Sequence, residues 1–266
     1  MKTLFFYAGL WFLLLKNALI RDFDYKLTFI CRALVEVIWI STQFVFFTAI
    51  FNQIGALSGW TYWEIVFFCG SMFLVDGVYM MVLYDNMAAF GRLMRMGLFD
   101  FYLLRPVSSL FLGAFRSVNT VPVVNIAIGL ATCAYPILKG HIALSAGSFL
   151  LWAIYLSLGS WMVIMLGVFL ISFGFWITQT QPLTWLFFEL YRMSLRPDDL
   201  YTKWMRRILL SAFPAALFIS VPVRLALGKE TNAIWYAVPP VAAMVLTLMA
   251  LGVWNKGVKK YEGAMS

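Results

Sequence analysis

The sequence predicts an all-α integral membrane protein, and both its composition and the length of its apolar runs lead to that fold class. Of the 266 residues, 63% are hydrophobic and 12% are charged, whereas soluble domains have roughly 45–50% apolar and about 25% charged residues. Runs such as 150–171 are apolar on every side. They match the ~20 residues of a spanning helix and not the alternating strands of a β-barrel. The chain length allows roughly five to seven such spans.

The apolar runs and the breaks between them predict the order of the elements. In that order we expect an interfacial helix at 3–23, spans at 29–51 and 63–84, a polar segment at 85–106, spans at 110–137 and 149–171, apolar stretches at 173–193 and 208–227, and a last span at 234–254. The first helix is short for a span, and its Lys16 and Arg21 can reach lipid headgroups.

The polar segment at 85–106 is the longest break between spans in the first half of the chain. Its three arginines place it in the cytoplasm by the positive-inside rule. Its mixed pattern predicts a short amphipathic helix over 88–96, followed by a turn at Gly97. Three lysines at 256–260 follow the last span and favour a cytoplasmic C-terminus.

Two topologies remain open for the C-terminal third of the chain. With both termini inside, only one of the stretches 173–193 and 208–227 crosses the membrane completely. A crossing at 208–227 keeps the charges of 192–207 inside, as the positive-inside rule favours. Pro214 and Pro222 instead favour a re-entrant segment there, because broken backbone at membrane depth must be covered by protein or water.

The residues carry no pattern typical of catalysis. The chain has no Gly-x-x-x-x-Gly-Lys-Ser/Thr loop for ATP, and its single histidine, His141, excludes sites built on a histidine pair. We therefore predict a protein that is not an enzyme and that holds no cofactor or metal. The net charge of +8 is interpreted as positive loops that face anionic membrane lipids, and not as a nucleic-acid surface.

Ionisable residues inside the predicted spans need partners, since each buried charge costs at least ~2.5–3.5 kcal/mol in hydrocarbon. Arg32 and Glu36 stand four residues apart on one face of the first span. This spacing predicts a structural ion pair between them.

Four sequence features occur together in an order that resembles a known family. Gly97–Pro106 reads Gly-Leu-Phe-Asp-Phe-Tyr-Leu-Leu-Arg-Pro, and the other three are the entry segment 17–26, Gly59-Trp60 before the second span, and the Phe-Pro…Val-Pro stretch at 213–222. Over nearly the whole chain, the sequence resembles the permease subunit of a bacterial type-2 ABC transporter. Within that class it is similar to a subfamily with a Gly-x-x-Asp-x-x-Leu-Leu-Arg-Pro cytoplasmic loop.

The resemblance implies one ABC type-2 transmembrane domain over 1–266, with six transmembrane helices and both termini in the cytoplasm. Its parts would be an N-terminal interfacial helix at 1–26, spans one and two at 27–84, a cytoplasmic coupling-helix loop at 85–106, spans three to five at 107–193, an outer re-entrant segment at 194–232, and span six with a basic tail at 233–266. The resemblance thus favours 173–193 as the fifth span, although it places the basic residues of 192–207 outside.

The resemblance also implies partners and a location. The chain would be half of an ATP-driven exporter in the bacterial inner (plasma) membrane, paired with a second permease chain, identical or similar. Each pair would sit on two copies of a separate ABC ATPase subunit, which uses ATP and Mg. Membrane lipids surround the assembly.

Two groups of residues carry these expectations. The ATPase-coupling group would offer an apolar knob and basic side chains to the ATPase, and consists of Phe90, Arg92, Met94, Arg95, Gly97, Phe99, Asp100, Phe101 and Arg105. The candidates for the translocation path are polar residues in apolar helices, namely Gln43, Asp76, Gln179 and Glu189. Each of the latter is equally consistent with a hydrogen bond between helices.

Two rival functions stay open on the residues alone. One is a stand-alone secondary transporter driven by an ion gradient, although such carriers usually show two related halves and no convincing repeat links 29–84 with 110–171. The other is a membrane scaffold that transports nothing.

Overall fold

A computed structural model describes residues 2–53, 57–177, 179–211, 213–230 and 232–261, and these ranges contain no β-strand. The predicted all-α class is therefore confirmed. Met1 of the predicted interfacial segment and residues 262–266 of the basic tail lie outside the described residues. The α-helices are α1 (Lys2–Asp24), α2 (Lys26–Phe51), α3 (Tyr62–Tyr79), α4 (Asp85–Arg95), α5 (Asp100–Leu103), α6 (Ser109–Phe115), α7 (Val123–Leu138), α8 (Ala146–Ser172), α9 (Gln181–Arg192), α10 (Lys203–Leu210), α11 (Ser220–Ala226) and α12 (Ile234–Lys260).

Contacts between residues that are distant in the sequence define the two ends of the helical bundle. At the Trp60 end, the rings of Trp63 and His141 stack with centroids 4.0 Å apart, and the Trp60 indole donates to Asp199 Oδ2 at 3.2 Å. At the Gly97 end, which holds the turn at Gly97, the Trp254 indole donates to Ser109 Oγ at 3.4 Å. The long helices run between these two ends.

Four helical stretches among the described residues are long and apolar enough to cross a membrane, and they bear out a multi-pass chain. They are Lys26–Phe51, Tyr62–Arg95, Ala146–Phe175 and Ile234–Lys260. Helix α3 packs along α7, and α8 packs along α12. Helix α1 agrees with the predicted N-terminal helix and contacts the start of α6, where the Tyr7 hydroxyl accepts from the Ser108 amide at 3.0 Å.

The helix of the second span does not end where the polar segment begins. A π-helical turn at Met80–Tyr84 joins α3 directly to α4, so that Tyr62–Arg95 forms one helical run. The separate amphipathic helix expected over 88–96 is the end of this run, and the turn at Gly97 follows as predicted, with φ +65°. The polar Asn86 is accommodated because its side-chain amide donates to the carbonyls of Val82 and Ser117, both at 2.8 Å.

The predicted third span is broken in the middle, and the single helix expected over 110–137 is wrong. Helix α6 ends at Phe115, and α7 begins after Pro122, which has no amide hydrogen to continue a helix. The exposed backbone of the break finds partners, since the Ser117 amide donates to Asn86 Oδ1 at 2.9 Å and the Asn119 amide donates to the Met81 carbonyl at 3.0 Å.

The stretch predicted as the fifth span is also not one long helix. Helix α9 has 12 residues, or roughly 18 Å, against the ~30 Å of a hydrocarbon core. Its start lies near the Gly97 end, where Thr180 fits against Gly91. The chain continues through two 3₁₀ turns to Asp199 at the Trp60 end. Residues 180–199 thus run from one end to the other as a broken element.

The stretch 208–227 starts and finishes at the same end of the bundle. Between α10 and α11, the backbone of Phe218 approaches α8 so closely that a Cβ on Gly159 would overlap its carbonyl oxygen. Gly159 is 13 residues into α8, about 20 Å along the helix. The chain then returns to the Trp60 end, where the Lys229 ammonium donates to the Gly59 carbonyl at 2.8 Å.

Candidate functional site

Four helices meet at a chain of polar side chains in the middle of the bundle, in which Glu36 is half-buried and the other three are buried. Asn125 of α7 donates from Nδ2 to Glu36 Oε2 on α2 at 3.0 Å and to Asp76 Oδ2 on α3 at 3.4 Å. The other oxygen of Asp76 accepts from the Tyr191 hydroxyl on α9 at 3.1 Å. Asn125 is fully buried, and Asp76 is 7% exposed. We call Glu36, Asp76, Asn125 and Tyr191 the central polar chain. Its hydrogen bonds connect α2, α3, α7 and α9 to one another.

The two acids of the central polar chain have no cationic partner within 4.0 Å among the described residues. The ion pair predicted between Arg32 and Glu36 is not formed there, because Glu36 turns to Asn125 instead. Arg32 is exposed, and an exposed helix pair would contribute only about 0.3–0.5 kcal/mol. A hydrogen bond inside the bundle therefore competes successfully with that pair.

Two substitutions of Asp76 should show whether it stabilises the fold through its hydrogen bonds or through its negative charge. Asp76→Ala leaves the Tyr191 hydroxyl without its acceptor, and we expect it to lower the free energy of unfolding by about 1–3 kcal/mol. Asp76→Asn keeps an acceptor for Tyr191 but faces the Asn125 amide with a second donor, so we expect a smaller loss than for Asp76→Ala. Thermal unfolding of the detergent-solubilised chain measures both variants. Equal losses for Ala and Asn would contradict a role limited to hydrogen bonding.

A second feature lies beside this chain, between α2 and the end of α9. A cavity of about 250 Å³ is lined by Gln43 and Trp39 on one side and by Glu189, Arg192 and Arg196 on the other. The structure thus brings together two of the path candidates, Gln43 and Glu189. The Arg192 guanidinium donates to Glu189 Oε1 at 3.1 Å, so the charge of the acid is matched at the cavity wall.

The remaining path candidates stand in different places. Asp76 does not line the cavity, and it accepts a hydrogen bond from Tyr191, which is two residues from Glu189 on α9. Gln179 is exposed near the Gly97 end, next to Thr180 and away from the cavity. The four candidates therefore do not form one cluster.

A buried ion network occupies the Trp60 end. The Arg224 guanidinium, 3% exposed, lies 3.2 Å from Asp198 and from Asp199 and 3.0 Å from Glu230. Arg206 bridges the same two aspartates, at 2.7 Å each. Burial alone would lower the pKa of Arg206, but the hydrogen bond and charge of Asp198, together with the charge of Asp199, raise it above its usual value. We call these five residues the Trp60-end ion network.

The Trp60-end ion network has no counterpart among the sites predicted from the sequence. The basic residues of 192–207 conflict with the positive-inside rule if they lie outside, and the structure shows how part of their charge is neutralised. The acidic dipeptide Asp198-Asp199 was the available signal, because two adjacent acids between apolar stretches need cations nearby. Their buried partner Arg224 lies 25 residues beyond Asp199 along the chain, and such a distance gives no local pattern.

At the Gly97 end, the ATPase-coupling group divides into buried and exposed members. The expected apolar knob consists of Phe90, Met94, Phe99 and Phe101. Phe90 and Phe99 are fully buried, so this prediction is wrong in part. Their rings pack against Trp254, with centroids 5.5 and 6.1 Å from it, and against Phe175 at 5.6 and 5.3 Å. They tie the polar segment to α12 and to the turn after α8.

The exposed members make a different surface. Phe101 is 60% exposed, and its neighbours Met96 and Leu104 are 63% and 81% exposed. Arg92, Arg95 and Arg105 are exposed around them, whereas Met94 and Asp100 are half-buried and Gly97 is buried in its turn. The result is an apolar tip with a basic rim, which we call the Gly97-end tip and define as residues 92–105.

An apolar helical bundle that encloses polar side chains, with broken elements among its passes, is an arrangement that membrane transport proteins use. The family model described as ABC-2 family transporter protein matches residues 37–265. The chain therefore belongs to the ABC-2 transporter family and is a membrane permease of an ABC transporter. Such permeases are normally non-catalytic membrane subunits that work with an ABC ATPase subunit. No curated protein and no solved structure matches the chain.

Proposed function

We propose that the chain is the membrane-spanning permease subunit of an ATP-driven ABC exporter. It forms the translocation path together with a second permease chain, and a separate ATPase subunit, present in two copies, binds ATP and Mg and drives the cycle. The observation that carries this proposal is the Gly97-end tip, an apolar surface with a basic rim at the end of a helix that also holds Asp76.

The tip and the central polar chain are mechanically connected. Tyr62–Arg95 is one helical run, so a displacement at its Gly97 end is transmitted along the helix to Asp76 and its partners. The buried rings of Phe90 and Phe99 also couple the polar segment to α12. ATP-driven closure of the ATPase pair would move the tip as a rigid body and change the packing of α2, α3 and α9 around the path.

We further propose six membrane crossings with both termini in the cytoplasm. The crossings are α2, α3–α4, α6–α7, α8, the broken element 180–199 and α12. The Gly97 end then faces the cytoplasm and the Trp60 end faces outward, with 194–232 as an outer re-entrant segment. The position of Asp199 beside Trp60 supports this topology, and the Trp60-end ion network reduces the conflict with the positive-inside rule.

Cysteine labelling tests the topology. In a Cys31→Ser background, Thr202→Cys should react with a membrane-impermeant maleimide added to intact cells, because Thr202 is exposed at the Trp60 end. Arg105→Cys at the Gly97 end should react only after the cells are permeabilised. Labelling of position 202 only from inside would reject the re-entrant assignment and favour a crossing at 208–227.

Co-purification tests the function. Detergent-extracted chain should bring down an ATPase encoded beside it, and reconstitution of the two in vesicles should stimulate ATP hydrolysis. An ion-coupled carrier would instead move substrate on an ion gradient without nucleotide, and a scaffold would show no substrate-dependent activity. An ATPase that neither binds the chain nor responds to it would contradict the proposal.

A further inference from the structure

An apolar groove of about 520 Å³ lies between α8, α12 and the segment that joins α10 to α11. It is separate from the central polar chain and from the cavity at Gln43. Its lining includes Leu166 from α8, Leu210 at the end of α10, Pro214 and Leu217 from the joining segment, and Val241 and Val245 from α12. Its volume falls within the ~300–1,000 Å³ of typical small-molecule pockets.

The groove suits a hydrocarbon chain and not a polar solute. The one hydroxyl in its lining belongs to Ser211, and this hydroxyl already donates to the Arg207 carbonyl at 2.6 Å. Water in the groove would find few polar partners, and apolar cavities of this kind stay dry. Val241 and Val245 are 53% and 47% exposed on α12, so the groove opens sideways, toward the lipid that surrounds a membrane bundle.

A basic stripe on α10 leads into the groove. Lys203 and Arg207 stand four residues apart and therefore share one face of the helix. Ser211, which follows the end of α10 and whose hydroxyl donates to the Arg207 carbonyl, lines the groove. Lys203 and Arg207 are exposed, and neither forms an ion pair within the part of the chain that the structure describes. Arg206, between them, points instead to Asp198 and Asp199.

The rest of α10 has the character of an interfacial helix. Trp204 and Ile208, again four residues apart, are 62% and 41% exposed. A short helix with basic residues on one face and Trp and Ile on another lies at a membrane surface, with its apolar side among the acyl chains. The basic stripe would then be at the level of the lipid headgroups and the groove below it, at the level of the chains.

We propose that this site binds an anionic phospholipid in the leaflet at the Trp60 end. One acyl chain fills the groove, and the phosphate-bearing headgroup contacts Lys203 and Arg207. A second copy of the chain does not suit this face, because a two-fold contact places the same patch on both sides. Two pairs of Lys203 and Arg207 would then repel each other. The lipid holds the re-entrant segment against α12 from the side that α8 does not cover.

Lipid titration followed by native mass spectrometry tests the site on the detergent-solubilised full chain. The parent chain should retain dioleoyl-phosphatidylglycerol more tightly than dioleoyl-phosphatidylcholine. The double variant Lys203→Gln, Arg207→Gln should bind phosphatidylglycerol about 25-fold more weakly, since each basic side chain beside an anionic headgroup strengthens binding about fivefold. Lys139→Gln is the matched control, because Lys139 is exposed at the same end but outside the groove.

Substitutions that place a large side chain in the groove test whether an acyl chain occupies it. Ala237 lines the groove, and Ala237→Trp should displace the acyl chain and weaken binding of both lipids. Met244→Trp, on an exposed part of α12 outside the lining, should not. Equal affinity of the parent chain for the two lipids, or unchanged binding in Ala237→Trp, would overturn the proposal. So would a disulfide between two chains through Val241→Cys, which would make this face a protein interface.

Discussion

Replacing Arg224 by methionine is expected to lower the free energy of unfolding by about 3–5 kcal/mol, the range for breaking a buried ion pair from one side. Arg224 is 3% exposed and Asp198 is 1% exposed. Without the guanidinium, Asp198 keeps only Arg206 and the Ser220 hydroxyl, and Glu230 loses its ion-pair partner among the described residues. The contacts that hold residues 198–199 against α11 at the Trp60 end would be weakened with them.

Thermal unfolding in detergent measures this effect, and Arg192→Met is the matched control. Arg192 also pairs with an acid, Glu189, but its side chain is 68% exposed, and exposed pairs contribute about 0–1 kcal/mol. Adding Glu230→Gln to Arg224→Met should recover part of the loss, since Glu230 is the acid that loses its ion-pair partner among the described residues. If Arg224→Met unfolded at the same temperature as Arg192→Met, the Trp60-end ion network would not stabilise the fold, and the prediction would be wrong.

Truncating Phe101 is expected to have the largest effect on coupling to the ATPase. Phe101 is 60% exposed at the Gly97-end tip, and the loss of a central aromatic contact typically costs at least about 2 kcal/mol of binding. Phe101→Ala should therefore weaken binding of the ATPase about 30-fold, while the permease keeps its unfolding temperature. Titration of the purified ATPase against the reconstituted permease measures the change.

Phe99→Ala is the contrasting variant, two residues away. Phe99 is fully buried against Phe90, Trp254 and Tyr261, and its truncation should destabilise the fold by about 3–5 kcal/mol. A permease that loses stability in both variants, or an ATPase that binds the Phe101 variant as before, would remove the tip from the coupling interface.

Much of the fold follows from the sequence where one local property decides the structure. The uniformly apolar run at 150–171 and the helical N-terminus at 3–23 correspond to α8 and α1. The turn at Gly97 also agrees, because only glycine adopts its positive φ without strain. The class of protein follows from composition and from the ordered motifs along the chain.

The parts that could not be predicted depend on partners far away in the sequence. Glu36 bonds to Asn125, 89 residues away, and not to its helix neighbour Arg32. The break at 116–122 is stabilised by Asn86, whose role has no local signature. Burial of Phe90 and Phe99 was missed for a similar reason, since an amphipathic pattern shows which face is apolar but not whether a partner subunit or α12 covers it.

The position of the ATPase is the central claim, and site-specific photocrosslinking tests it most directly. A photoreactive residue at Leu104, which is 81% exposed at the Gly97-end tip, should crosslink to the ATPase in the assembled complex. The same residue at Leu138, which is 83% exposed at the Trp60 end, should not. The proposed coupling would be contradicted if both positions crosslinked only to lipid. It would also be contradicted if Leu138, and not Leu104, crosslinked to the ATPase.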